Sequence, residues 1–432
     1  MGCASSHHAR KDCQVRHHDP SESIFDSWEL HEKLGVGRFG QVRAAKQIRS
    51  DFWGAVKIVD TRHDSTSAPG ESAKENPIRF KAAMVEARIW SMVGRHPHIV
   101  NLFEVFRAQQ MYLMVMERCE CQLLVRLMKM PSVTEGDLAY VFGQMIEGVA
   151  YVHSLNIAHR NIRPEKFIIG RGEHDIVKLC DFSMAAQLTE QGSLRGCFGD
   201  APYVSPEMLV ENGSHDEKTD SWSLGVTFYL MLYGSFPYMP VHKDSRSMKI
   251  LIATGEPAPA YKSRLETTHA AKEFVSSFLT RDVLRRVPVE QARRAEFLGL
   301  SRYSEVDLLP VIQSAYSLSL DYRAKPDNTR QASLDRFVKE RSAKNSQNSC
   351  DPMQSRQDDS PATPLLAERD LVAELKTDDD QSILSGSTQA GDEFCSGATS
   401  TNDKEGWSPT RSIHDISQSI DLGLDLDYGL EY

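Results

Sequence analysis

Residues 159–166 read His-Arg-Asn-Ile-Arg-Pro-Glu-Lys. Two side chains set the chemistry of this stretch. The amide of Asn161 cannot take up a proton at neutral pH, and the ammonium of Lys166 cannot ligate a metal cation. Upstream, Leu34-Gly35-Val36-Gly37-Arg38-Phe39-Gly40-Gln41-Val42 has three glycines at spacings that let backbone approach phosphates with no Cβ in the way. Dinucleotide-binding folds use similar spacings. The next element discriminates: Ala55-Val56-Lys57 puts a cation in an apolar strand, where a dinucleotide fold would want an acidic ribose contact.

Further motifs follow in order. A helical pattern starts at Pro77, a good first-turn residue, and carries Glu86 within Met84-Val85-Glu86-Ala87-Arg88-Ile89-Trp90. Then come His96-Pro97-His98-Ile99-Val100, an apolar strand over 111–117, Asp181-Phe182-Ser183, Ser205-Pro206-Glu207, Asp220-Ser221-Trp222-Ser223-Leu224-Gly225 and Arg286. Together with the loop at 159–166, these motifs resemble the protein kinase superfamily, within it the calcium/calmodulin-dependent type of Ser/Thr kinase, over roughly residues 26–299.

The resemblance implies an α+β, two-lobed protein kinase fold, with a small β-rich N-lobe and a larger helical C-lobe. It implies ATP and Mg²⁺ as cofactors. Leu34, Val42, Ala55 and Ile168 would sandwich adenine, beneath the glycine roof of Gly35, Gly37 and Gly40. Met116 would stand at the gatekeeper position before the hinge, Glu117 to Cys119. Lys57, oriented by Glu86, would hold the α/β-phosphates, and Asp181 would bind metal. Leu102, Trp90, Phe182 and His159 would stack between the lobes on Asp220, and Glu207 would pair with Arg286 as a structural ion pair.

The same comparison marks what is missing. Asn161 stands where the family has its catalytic Asp, a proton acceptor of the kind that contributes roughly 10²–10⁴-fold. Lys166 replaces the Asn that holds a second Mg²⁺, and two readings stand: its like charge weakens that metal site, or its ammonium neutralises a phosphate directly. Arg163 replaces a lysine that reaches the γ-phosphate. Asp200 takes the place of a threonine. Two readings of Asp200 stand: a counter-charge to Arg163 or Lys166 that locks an inactive loop, or a substitute base. Arg160 is the arginine that in kinases grips an activation-loop phosphate, but Gly196 falls at the usual phosphosite. Ser193 and Thr189 lie nearby, and regulation by loop phosphorylation is not supported.

The expectation is a membrane-anchored, kinase-fold signalling protein that binds ATP and a protein substrate or signalling partner, with impaired or absent transfer to protein Ser/Thr. The alternatives are an active atypical Ser/Thr kinase and a scaffold that binds no nucleotide.

Composition bounds the rest. The chain has 432 residues and a formal net charge of −10. From Asp351 onward there are 18 acidic and 5 basic residues, so the acidity belongs to the tail. That tail is polar and poor in aromatics, and residues 346–432 are expected to be disordered. Nothing points to nucleic-acid binding. The eight cysteines form no framework, and reduced thiols are expected, Cys119 and Cys121 included. Met1-Gly2-Cys3-Ala4-Ser5-Ser6 fits N-myristoylation at Gly2, with Cys3 a natural palmitoylation site; stable anchoring needs such a second acyl chain or a basic patch, to which Arg10, Lys11 and Arg16 contribute a little charge. Residues 1–25 would then be a flexible, His-containing, acylated arm at the cytoplasmic face of a membrane. Residues 300–345 read as a linker with candidate regulatory helices, in which alternating basic and apolar residues over 335–344 weakly suggest calmodulin. Ser333, Ser360, Thr363 and Ser408 lie in short sequences that resemble phosphorylation sites.

Overall fold

The first lobe is a six-stranded sheet with one long helix. The computed structural model describes residues 15–37, 40–62, 75–108, 110–172, 175–261, 267–323 and 326–348. Strands β1 (Arg16–His17), β2 (Trp28–Val36), β3 (Gly40–Gln47) and β4 (Trp53–Asp60) precede helix α1 (Pro77–Val93), and β5 (Leu102–Ala108) and β6 (Met111–Glu117) follow it. The strand order is β1-β5-β6-β4-β3-β2. Only β1 runs parallel to its neighbour. Because alternate residues share a sheet face, Ala55 and Lys57 look the same way, and the register sets Met116 opposite Ala55 and Val42 opposite Lys57. Helix α1 starts where the sequence asks: the Asn76 side chain accepts from the Ile78 and Arg79 amides at 3.0 and 3.2 Å, with Pro77 next.

The second lobe is helical: α2 (Leu123–Leu127), α3 (Glu135–Ser154), α4 (Lys218–Tyr233), α5 (Ser245–Thr254), α6 (His269–Phe278) and α7 (Val289–Ala292). Thr134 and Asp137 close a capping box at the start of α3. Its centre is aromatic, with Phe142 and Phe228 ring centroids 4.2 Å apart and Phe228 and Phe274 5.3 Å apart. Helix α4 is buried on every side, so a carboxylate in its first turn, Asp220, must find partners inside the protein.

Two more helices follow the second lobe. Helix α8 (Leu309–Asp321) packs against α4 and α2. Helix α9 (Asn328–Asn348) returns to the first lobe and lies on β2 and β3. There Leu334, Phe337 and Val338, at the i, i+3, i+4 spacing of one helix face, join Ile24, Phe25, Trp28, Leu30, Ala45, Val56 and Ile58 in a second apolar core.

Three expectations meet the structure differently or fall outside it. The arm expected over 1–25 is not free where it is described. Residues 16–17 pair with β5, Ile24 and Phe25 are buried, and the His18 ring stacks on Phe106 at 3.7 Å with its nitrogens on Glu22 and Glu104 at 2.8 and 2.7 Å. The reason is an open sheet edge that the segment covers. The tail expected to be disordered from residue 346 overlaps α9, which runs to Asn348. Gly2, Cys3, Ser360, Thr363, Ser408 and the acidic tail beyond Asn348 lie outside the described residues. No helix among the described residues is long and apolar enough to cross a membrane.

Candidate functional site

A cleft between the sheet and the second lobe collects most of the residues singled out in the sequence. Leu34, Gly35, Gly37, Val42, Ala55, Lys57, Met116, Glu117, Cys119, Ile168 and Asp181 line it. Gly40 and Glu86 stand behind its walls. A Cβ at Gly40 would run into the Ile58 carbonyl oxygen, whereas one at Gly35 would meet nothing within 4 Å. The two glycines therefore serve different needs: Gly40 lets two strands close, and Gly35 leaves room in the roof.

At the back of the cleft, Lys57 pairs with Glu86 from α1 and with Asp181 Oδ1 at 2.9 Å. All three are buried. The other oxygen of Asp181, Oδ2, accepts from the Lys166 ammonium. The backbone brings the two positions together: the Cys180 amide donates to the Lys166 carbonyl at 2.9 Å, so position 166 lies beside 181. Burial alone would raise the Asp181 pKa, but Lys166 and Lys57 outweigh it and hold the carboxyl well below its ordinary value. Asp181 has φ 68°, the left-handed region that aims its carboxylate at both lysines.

The loop at 159–166 is hung from Asp220. Its carboxylate accepts from the His159 and Arg160 amides at 2.7 and 2.8 Å and from His153 Nε2 at 2.9 Å. His159 donates to the Cys180 carbonyl at 3.2 Å and meets Phe182 edge-on, with centroids 5.3 Å apart. Phe182 in turn lies 5.8 Å from Trp90, and Leu102 is buried in the same core. Burial pulls the His159 pKa down, so the ring is neutral at physiological pH. Glu207 and Arg286 form a two-pronged pair at 2.6 and 2.9 Å.

Asn161, Arg163 and Asp200 form a second buried group outside the cleft walls. Of the two counter-ions considered for Asp200, the structure selects Arg163. Burial raises the Asp200 pKa, with Arg163 and Lys166 opposing. Gly199 holds this group against the loop: at φ 95°, a Cβ there would sit 2.9 Å from the Arg160 carbonyl and 3.8 Å from Asn161 Oδ1. Arg160 donates to the Met184 carbonyl at 2.7 Å and lies over the Phe198 ring at 3.8 Å, so an aromatic face occupies it where a phosphate would be gripped.

Sequence reading missed the contribution of the C-terminal helices. Arg323, just after α8, reaches the cleft wall. Gln331 Nε2 donates to the carbonyls of Gly37 and Gly40, both at 2.8 Å. Arg330 pairs with Asp60 at 3.2 Å, and Asp335 with Lys33 and Arg43 at 2.9 and 2.6 Å. The apolar triplet at 334, 337 and 338 was the available signal. Those side chains, among the anchors for a calmodulin site, face the sheet.

Residues 28–298 match the protein kinase domain family. Among curated relatives, the human calcium/calmodulin-dependent protein kinase type 1B is 30% identical over 295 residues, which cover 67% of this chain and 80% of that protein. The CBL-interacting serine/threonine-protein kinase 1 of Arabidopsis thaliana is 30% identical over 282 residues, 63% of this chain. The chain spans 58% of that plant relative's length. Among solved structures, the autoinhibited serine kinase domain of the giant muscle protein titin superposes with a TM-score of 0.58 at 23% identity, over 69% of this chain and 88% of that one. At that identity the likeness speaks for the fold alone.

Proposed function

The chain belongs to the protein kinase family, and from that premise we propose that it is a nucleotide-binding signalling protein whose phosphoryl transfer to protein Ser/Thr is impaired or absent. One observation carries this reading: buried Asn161 sits in the loop position of the proton acceptor, and the neighbouring carboxylate, Asp200, is engaged by Arg163. An amide can accept a hydrogen bond from a substrate hydroxyl but cannot take its proton at neutral pH. Of the two readings of Asp200, the counter-charge is favoured.

Nucleotide binding is supported by what the cleft retains. Protein kinases in general use ATP and Mg²⁺. Here the apolar walls, the glycine roof and the Lys57–Glu86 pair are in place to receive adenine and the α/β-phosphates. That assembled pair, with the stack from Trp90 to His159, also favours a second reading, an active atypical Ser/Thr kinase. The scaffold without nucleotide has no observation in its favour.

The deciding experiment is transfer of labelled γ-phosphate from ATP to the protein itself and to a basic protein substrate, with Mg²⁺ and with Mn²⁺, against Lys57→Met. Transfer at the level of that control supports the proposal, and transfer clearly above it establishes the active kinase.

On sequence alone, we further propose anchoring to the cytoplasmic face of a membrane through acyl chains on Gly2 and Cys3. Gly2→Ala should abolish incorporation of a myristate analogue and shift the protein from the membrane to the soluble fraction. A calmodulin-type partner would have to lift α9 from the sheet to reach Phe337 and its neighbours.

A further inference from the structure

The family's metal sites do not fit this cleft. A divalent cation there needs oxygen ligands in a nearly octahedral arrangement. Asp181 gives one oxygen to Lys57 and the other to Lys166. The side chain at position 166, where the family supplies an oxygen, is itself an ammonium. Among the described residues no group of three or more His, Cys, Asp or Glu side chains is arranged to hold a metal ion. A dication placed beside Asp181 would meet two ammonium charges in a buried setting, where repulsion is weakly screened.

We propose that this chain binds nucleoside di- and triphosphates without a divalent cation, the Lys166 ammonium supplying the positive charge that a metal ion supplies elsewhere in the family. The inference rests on the nucleotide-binding reading above and deepens it. Lys166 lines the same cleft as Lys57, Gly35 and Gly37, and it shares the Asp181 carboxylate with Lys57, the residue read as holding the α/β-phosphates. A lysine is a compact charge on a flexible four-carbon stem, suited to turning from Asp181 toward a phosphate oxygen. Asp181 then acts as a positioning residue. It holds two cations of like sign within one small volume, an arrangement that without a carboxylate between them would be repulsive.

The test is calorimetric titration of the full chain with ATP, and separately with adenosine, in EDTA and in millimolar Mg²⁺. The expected result is an ATP affinity in EDTA at least equal to that in Mg²⁺, where most of the ATP is chelated, and exceeding the affinity for adenosine in EDTA by about tenfold or more, the scale of one charge-assisted phosphate contact. Lys166→Asn should lose about tenfold for ATP in EDTA, regain it in Mg²⁺ and leave adenosine binding unchanged. Lys166→Arg should keep most of the metal-free affinity. ATP binding that requires Mg²⁺ in the unaltered chain overturns the inference and leaves the nucleotide-binding reading standing. So does an ATP affinity equal to that for adenosine in EDTA, which would mean that the phosphates are not held. A folded Lys166→Asn variant with undiminished affinity in EDTA also overturns it. Absence of ATP and adenosine binding in both buffers overturns both proposals together.

Discussion

Gln331 donates to the carbonyl oxygen of Gly37 at 2.8 Å, across 294 positions of sequence, and with the same nitrogen to Gly40. The glycine roof is therefore tied from outside by the last helix. The tie is imperfect, since the buried Gln331 Oε1 has no hydrogen-bond partner among the described residues. Gln331→Ala removes two hydrogen bonds and one unmet acceptor, so the expected loss of stability is only about 1 kcal/mol. The clearer sign should be faster amide hydrogen exchange at Gly37 and Gly40, with exchange in α3 and α4 unchanged.

Arg163 and Asp200 form a pair that is strong in one sense only. Both are buried, so removing the acid takes the short-range counter-charge from a buried guanidinium and leaves it the more distant Glu165, at 3.8 Å. Asp200→Ala should cost roughly 3–5 kcal/mol, read as a lowered midpoint in urea unfolding. Replacing both residues by Met and Leu should recover most of that. Asp200→Asn should leave any residual phosphate transfer unchanged, and a clear fall would instead mark Asp200 as a substitute base.

Restoring catalysis should take more than one change. Asn161→Asp supplies the proton acceptor, worth roughly 10²–10⁴-fold in a competent site, but leaves Lys166 on Asp181. We expect Asn161→Asp alone, and Lys166→Asn alone, to give little labelled-phosphate transfer in Mg²⁺. The double variant should exceed the product of the two, because base and metal act on the same transition state.

Acid should loosen the molecule through Asp220. Burial by itself would raise this carboxyl, but bonds from His153 and from the loop backbone hold it below its ordinary 3.8. The folded form thus binds fewer protons than the unfolded chain. The sign follows: its contribution is complete above about pH 5, and is lost as pH falls below the unfolded value toward the folded one. Thermal midpoints measured from pH 6 down to pH 3 should fall steeply. In Asp220→Asn, which starts lower, the slope should be shallower.

Much of this was legible in the sequence because it is written in local signals. Glycine spacing, a lysine in an apolar strand and the cap before Pro77 each specify their own stretch of backbone, and together they place Lys57, Glu86 and Asp181 in one cleft. Choosing between Arg163 and Lys166 as the partner of Asp200 was not legible. It depends on tertiary neighbours: the 166 and 180 backbones are hydrogen-bonded, Lys166 pairs with Asp181 and Arg163 with Asp200. The docking of α9 was equally hidden. Its sequence is mostly polar, and three apolar residues acquire meaning only opposite Ile24, Phe25 and the sheet. Nor do two residues such as Arg16 and His17 have a period that could announce a strand.

The second apolar core has a practical corollary for anyone who cuts this chain. The family resemblance ends near Gly299, but the folding unit does not. Phe25 and Phe337, whose rings are 6.2 Å apart, come from opposite sides of the domain sequence and share one patch of sheet. A fragment truncated at Gly299 would wet Ile24, Phe25 and Leu30, and two such patches would sooner cover each other than stay in water. Dimers or aggregates of that fragment would then be an artefact of excision, and the smallest portion fit for study extends through Val338.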